Sequence, residues 1–195
     1  MFRWLMLHTV VIFQCRNLAH VDLFQNKIAH AGAEKLAEVL PSLVNLVNLK
    51  LHGCNISDAG TMSLVKAVPS LVNLDFLDLS ENNISNAGAA SLAKALPSLV
   101  NLSSLRLAEN NISDAGAKSL AKALPSLTNL STLDLENNDI SDAGGTSLAE
   151  ALSASSMKDR PYLTINCFTG NNIGEAAAQE LKAAMDKQNR EIMVC

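Results

Sequence analysis

The residues able to carry acid–base, metal or nucleophilic chemistry are few and widely spaced in this 195-residue chain. His20 and His52 could approach each other across a sheet, yet no cysteine or carboxylate stands at a metal-ligand spacing from either. Cys15, Cys54, Cys167 and Cys195 lie far apart, with the pairing of neither a zinc site nor a disulfide framework, which favours a reducing, cytoplasmic compartment. Asp22, Lys50, Asp78, Arg106 and Asp134 recur at 28-residue steps with alternating sign. Carboxylates partnered by cations should stay ionised, which does not suit an acid–base pair. A Gly-x-x-x-x-Gly-Lys-Ser/Thr phosphate loop is missing, and the serines fall at helix starts and loops. The expectation is a chain without catalytic residues, metal or cofactor, whose polar side chains serve recognition.

Composition says what must position those side chains. The chain holds 31 leucines, 26 alanines and 19 asparagines against a 4% aromatic share, so its core must be assembled from many similar small units. Hydrophobic residues make up 48%, too many for a disordered chain. Asparagine is poor in helix interiors and strands and favoured at turns, so its excess implies one turn used repeatedly. A net charge of −4 without a basic stripe gives no support for nucleic-acid binding. No apolar run reaches the roughly 18 residues that span a bilayer.

The period is 28 residues. Leu18, Leu46, Leu74, Leu102 and Leu130 align; so do Val21, Leu49, Leu77, Leu105 and Leu133, then Leu23, Leu51, Leu79, Leu107 and Leu135. Asn26, Cys54, Asn82, Asn110 and Asn138 form a turn column, followed by Ile28, Ile56, Ile84, Ile112 and Ile140. An asparagine amide both donates and accepts, so it can satisfy turn groups in its own and the adjoining coil. Cys54 reads as a buried, structural occupant of that column.

Each second half reads as a helix. Ser113-Asp114-Ala115-Gly116 should start one by offering side-chain oxygens to its first backbone donors. Leu120 and Leu124 share a face, and Pro125 should stop it, as Pro41, Pro69 and Pro97 do in the other units. Short strand, turn, helix and return make each unit one coil of a right-handed α/β solenoid. Helices are wider than strands (about 10 Å against about 4.8 Å), so the stack must arc with its parallel sheet on the concave face and its helices on the convex face.

Three segments result. Residues 1–17 read as a truncated repeat acting as an N-terminal cap, because Ile12, Cys15, Asn17 and Leu18 match Leu40, Leu43, Asn45 and Leu46. The apolar stretch Trp4–Phe13 has the length of a signal-peptide core but lacks an Ala-x-Ala-like cleavage site. Residues 18–152 hold five repeats. Residues 153–195 hold an irregular last repeat, with a strand at 163–165, and a C-terminal capping helix.

The pattern Leu-x-x-Leu-x-Leu-x-x-Asn/Cys-x-Ile resembles leucine-rich repeats. The 28-residue length and Ile-Ser-Asp-Ala-Gly-Ala before the helix resemble the ribonuclease-inhibitor subtype. Ser-Leu-Ala-Lys-Ala-Leu-Pro-Ser-Leu at 119–127 is similar to the repeats that end NOD-like receptors, particularly those like the MHC class II transactivator. That resemblance implies a cytoplasmic, non-catalytic, ligand-sensing or regulatory module of innate immunity, either a fragment of a larger multidomain receptor or a stand-alone repeat protein, with a protein partner and no nucleic acid or membrane. Two alternatives share the coil chemistry: a Ran-type GTPase-activating regulator and a ribonuclease-inhibitor-like enzyme inhibitor. The first usually ends in a strongly acidic tail, and the second usually carries many more cysteines.

Binding by such a solenoid uses side chains flanking the inward leucines of each strand. The central column is expected to run Asp22, Lys50, Asp78, Arg106, Asp134, Thr164, as a ladder of weak ion pairs, a partner-specific stripe, or both. Beside it His20, Phe24, His52 and Phe76 gather toward the first coils, and Glu81, Glu109 and Glu136 mark the later ones. Phe24 and Phe76 are the expected aromatic anchors, with Lys50, Asp78 and Arg106 setting specificity. Five Asn-x-Ser sequons, at Asn55, Asn83, Asn101, Asn111 and Asn129, recur because the repeat recurs.

Overall fold

The computed structural model describes residues 17–154, 157 and 162–192, the last five of these through their backbone only. The expected N-terminal cap and the apolar stretch Trp4–Phe13 fall, apart from residue 17, outside the described residues.

Six three-residue strands form one parallel sheet in chain order: β1 (His20–Asp22), β2 (Asn48–Lys50), β3 (Phe76–Asp78), β4 (Ser104–Arg106), β5 (Thr132–Asp134) and β6 (Thr164–Asn166). Their register follows the period, with Val21, Leu49, Leu77, Leu105, Leu133 and Ile165 opposite one another. Each strand is followed by a helix: α1 (Ala29–Val39), α2 (Ser57–Leu64), α3 (Asn86–Ala95), α4 (Asp114–Ala123), α5 (Asp142–Ser153) and α6 (Glu175–Ile192). The fold is an open α/β solenoid. Leucines from the strand, the turn and the helix of every coil meet in one continuous core, with Leu46, Leu74, Leu102, Leu79 and Leu107 fully buried.

Proline acts slightly later than its helix-stopping role suggests. In each of the first four coils the α-helix ends first, and Pro41, Pro69, Pro97 or Pro125 then sits near the start of a 3₁₀ turn. Its fixed φ and missing N–H suit that position, where the N–H would have no partner in the helix.

The last strand lies two residues further along than the expected column. Asn166, not Thr164, pairs with Asp134, and Thr164 pairs with Thr132. The polar loop after α5 lengthens the return by more than the repeat allows. Cys167 then fills the core next to Ile165, fully buried.

Helix starts are built differently from the expectation. Of the serines that precede α3, α4 and α5, Ser85 accepts a hydrogen bond from its own helix, from the Ala87 N–H at 3.3 Å, while Ser113 and Ser141 do not. The main caps come from the coil before. Asp58 Oδ1 accepts from the N–H groups of Ser85 (2.8 Å) and Gly88 (2.9 Å), and its Oδ2 takes the Ser85 hydroxyl. Asn86 Oδ1 does the same for Ser113 and Gly116, at 2.9 and 2.8 Å. Asp114 Oδ1 accepts from Ser141 and Gly144, and Asp142 Oδ1 from Gly174. The glycine is required by this close approach: a Cβ on Gly116 would lie 2.8 Å from Asn86 Oδ1 and 2.6 Å from Ile112 Cγ2. The N-termini of α3, α4, α5 and α6 are thereby each tied to the preceding coil, coupling coil formation to stacking.

Candidate functional site

The sheet face carries the residues that escape the repeat rule, and the turns behind it hold them in place. Asn82 Oδ1 accepts from the N–H groups of Cys54 and Ile56, both at 3.1 Å, while its Nδ2 donates to Leu51 and Ser80. Asn110 repeats this toward Asn82 and Ile84, and donates to Leu79 and Leu107. Asn138 accepts from Ile112 and donates back to Leu107, and Asn171 continues the column against Ile140 and Leu135. All three of Asn82, Asn110 and Asn138 are buried. Asn26 differs: it is exposed, and its amide bonds only to Leu23 and Phe24 of its own coil. Cys54 is fully buried and donates its thiol proton to the Leu23 carbonyl at 3.0 Å. Burial, foremost, pushes the Cys54 thiol above its ordinary range and the Cys167 thiol up to about 12, so both are inert hydrogen-bonded or apolar fillers at neutral pH.

Just before the asparagine column the chain passes through the left-handed region in every coil, at Gln25, Gly53, Glu81, Glu109, Asn137 and Gly170. Glu109 has φ 55° and Glu81 the same, a conformation that costs a non-glycine residue on the order of 1 kcal/mol. The kink points these exposed side chains off the sheet at its C-terminal rim.

The central column is not the uniform ion-pair ladder of the expectation. Lys50 Nζ lies 3.3 Å from Asp22 Oδ2, and this is the one ion pair of the column among the described residues. The Phe24 N–H, foremost, holds the Asp22 carboxyl below its usual range against an opposing effect of burial, with the Lys50 ammonium acting in the same direction as the N–H. Arg106 forms no ion pair with Asp78 or Asp134 among the described residues; its guanidinium lies over the Phe76 ring, 5.1 Å from the centroid. Phe76 is accordingly half-buried. Asp78 is only 7% exposed and accepts the Ser80 N–H. Burial, foremost, with repulsion from Glu136 and Asp78, raises the Asp134 carboxyl above its ordinary range, despite the Glu136 N–H and Arg106. The expectation that these carboxylates are partnered by neighbouring cations holds at Asp22 and not at Asp78 or Asp134, which form no ion pair among the described residues.

The two histidines do not meet. His20 is bonded through Nδ1 to the Asn48 side-chain amide at 2.6 Å, on one side of the sheet face. His52 stacks on Phe24 with ring centroids 4.8 Å apart, and its Nε2 is 3.0 Å from Glu81 Oε2. Phe24 keeps 52% of its surface exposed even so. The expected cluster of four thus resolves into an aromatic platform, Phe24–His52–Glu81, and a separate Phe76–Arg106 pair. No group of three or more metal-ligating side chains comes together among the described residues.

Two further ladders went unread in the sequence although both share its period. One is the capping column Asp58, Asn86, Asp114 and Asp142. The other is a rim column in which Asn73, Asn101 and Asn129 donate to the carbonyls of Val44, Val72 and Val100. Two of the five sequons, Asn101 and Asn129, are thereby engaged in stitching coils.

A family model described as Leucine Rich repeat matches residues 14–37, 71–93, 98–121 and 126–149. A search of curated proteins found no match. Among solved structures, "Leiomodin-1 Actin-Binding Site 2 (ABS2)" superposes with a TM-score of 0.59 at 16% identity, covering 83% of this chain and 89% of that one. The tropomodulin C-terminal domain from Caenorhabditis elegans superposes with a TM-score of 0.64 at 13% identity, covering 83% and 96%. At such identities the likeness is one of fold. With the 28-residue register, the sequential parallel sheet and the asparagine turns, it leads to one statement: this chain carries leucine-rich repeats, folded as an α/β leucine-rich-repeat solenoid.

Proposed function

We propose that the chain is a non-catalytic protein-recognition module that engages a partner protein on the concave strand face, through His20, Asp22, Phe24, Lys50, His52, Phe76, Asp78, Arg106, Glu109 and Asp134. The observation that carries this reading is the Phe24–His52 stack, a half-exposed aromatic platform on a surface made, apart from Phe76, mostly of charges and short polar side chains. Leaving a large ring half in water gains nothing for the fold, whereas aromatic anchors beside charges dominate binding energy at protein interfaces. Within this reading the module belongs with the ligand-sensing or regulatory repeats of NOD-like receptors, acting in the cytoplasm. The 28-residue unit with Ile-Ser-Asp-Ala-Gly supports the subtype, and the unpaired buried thiols Cys54 and Cys167 support a reducing compartment.

Affinity capture with the intact chain tests the reading, using Phe24→Ala/Phe76→Ala and Lys50→Glu/Arg106→Glu as paired controls. Purified actin enters as a separate arm, since one of the fold relatives is named for an actin-binding site. A partner retained by the unmodified chain should be lost or weakened at least about tenfold by both controls. Equal retention by all three proteins overturns the concave-face reading.

A further inference from the structure

We propose that the partner presents a basic, arginine-bearing segment to the concave face, with an arginine seated on the Phe24–His52 platform and further cations facing the carboxylates of the later coils. The proposal rests on the concave-face reading above and specifies the chemistry of the occupant.

Charge is the first argument. On this face Lys50 is already committed to Asp22, and Arg106 to the ring of Phe76. What remains available is acidic: Glu109, Asp134 and Glu136 have no ion pair among the described residues. Asp134 is the telling member. It is half-buried and stands in register with Arg106, and yet among the described residues it accepts the Glu136 N–H and forms no ion pair. A half-buried carboxylate without an ion-pair partner is costly, and a partner cation offsets that cost when it arrives.

The aromatic platform is the second argument, and it is independent of the charge count. Phe24 and His52 lie nearly parallel, 20° apart, with Glu81 bonded to the far side of the imidazole. The outer face of Phe24, half exposed and held by the His52 ring behind it, fits a planar guanidinium stacked on the ring, with the Glu81 carboxylate lending negative charge from beyond the imidazole. The same face already uses this geometry internally, where the Arg106 guanidinium lies over Phe76. An ammonium is a compact, strongly hydrated point charge and gains less from a flat ring, so the platform selects arginine over lysine. Nucleic acid, with its phosphates, is repelled by the same carboxylates.

Three twelve-residue peptides of identical Gly-Ser spacing, carrying four arginines, four lysines or four glutamates, test this by fluorescence anisotropy on the intact chain. The arginine peptide should bind, the lysine peptide more weakly, and the glutamate peptide not at all. Glu109→Lys/Glu136→Lys should weaken the arginine peptide at least about tenfold, while the reversal Glu34→Lys/Glu150→Lys on the exposed helices, with the same net charge, should change it less than about twofold. Phe24→Ala should erase the preference for arginine over lysine while leaving the charge-dependent part of the binding. Failure of the arginine peptide to bind, or equal losses in the two reversed variants, overturns the proposal. If captured partners still depend on Phe24 and Phe76 while the peptides do not bind, only the basic-segment inference falls; if captured partners ignore the concave face, the underlying reading falls with it.

Discussion

Between β3 and β4 two side-chain ladders close the seam of the solenoid; between β1 and β2 both are interrupted. At the regular seam Asn110 accepts from the Asn82 and Ile84 N–H groups, and Asn86 caps the start of α4. At the first seam Cys54 stands in the asparagine column and can donate but scarcely accept. The turn of the first coil therefore closes on itself, with the Asn26 and Ile28 N–H groups bonding to Leu23 and Asn26 carbonyls. His30 stands where the capping column has Asp58, Asn86 and Asp114. Without that acceptor the start of α2 takes another path: Ser57 turns left-handed at φ 60° and donates to the Asn82 carbonyl, whereas Ser85, Ser113 and Ser141 are extended. Helix α2 has only eight residues, and Val68 occupies a column otherwise held by Leu40, Leu96 and Leu124, beside a cavity of about 20 Å³ lined also by Thr61, Leu64 and Leu92. A regular period thus does not make equal coils. Stability in a stacked array depends on what crosses each seam.

The largest test of this contrast sits in the asparagine column. Asn110→Ala leaves the Asn82 and Ile84 N–H groups buried without an acceptor and should cost about 3–5 kcal/mol. Cys54→Ala removes one weak donor and a small apolar group and should cost about 1–2 kcal/mol. Urea unfolding compares the two, and equal losses would erase the distinction between seams.

Next in size is the capping column. Asp114→Ala should cost about 1–2 kcal/mol, as the loss of an N-cap does. Burial raises the Asp114 carboxyl, but the Ser141 hydroxyl and the N–H groups of Ser141 and Gly144 outweigh it and hold the group below its usual range. The contribution is therefore full above the unfolded carboxyl range near pH 4 and is lost as pH falls through the lower folded value. Asp114→Asn, which copies Asn86, should be within about 0.5 kcal/mol of the unmodified chain at neutral pH and should flatten the acid limb of the stability profile.

Smaller effects come from repairing the first seam. His30→Asp should cap α2 and add about 1 kcal/mol. Cys54→Asn should restore an acceptor for the first turn, with a gain of about 1 kcal/mol. Val68→Leu should fill the cavity and add up to about 0.8 kcal/mol, the value of one buried methylene. Thermal unfolding of the three variants separates these effects; a repair that lowers the midpoint means that the seam is already closed by means other than the two ladders and the core.

Repetition made most of the scaffold readable. Leucine columns two and three residues apart place a strand, the asparagine marks the turn, and Leu-Pro-Ser-Leu marks the return, because one physical solution is written several times in a fixed register. The face was readable in part. Asp22, Lys50, Asp78 and Arg106 follow from alternation along a strand, but Thr164 fell out of its column because the loop before β6 breaks the period on which the reading depended. Glu81 and Glu109 were legible as neighbours of the central column, but the left-handed backbone at both positions was not, since alternation along a strand does not register a kink.

The amino-acid pattern alone determined the solenoid, its coil length and its sheet, because buried leucines at fixed spacing have only one way to meet. Tertiary structure alone decided who partners whom. The amides of Asn82, Asn110 and Asn138 reach back to the coil before, and Asp58, Asp114 and Asp142 cap the helix of the coil after; His52 meets Phe24 and Glu81 and not His20, and Arg106 lies over a ring without an ion pair to Asp78 or Asp134. Those choices are settled between coils, where distance, direction and desolvation act across 28 residues of chain, and no local pattern records them.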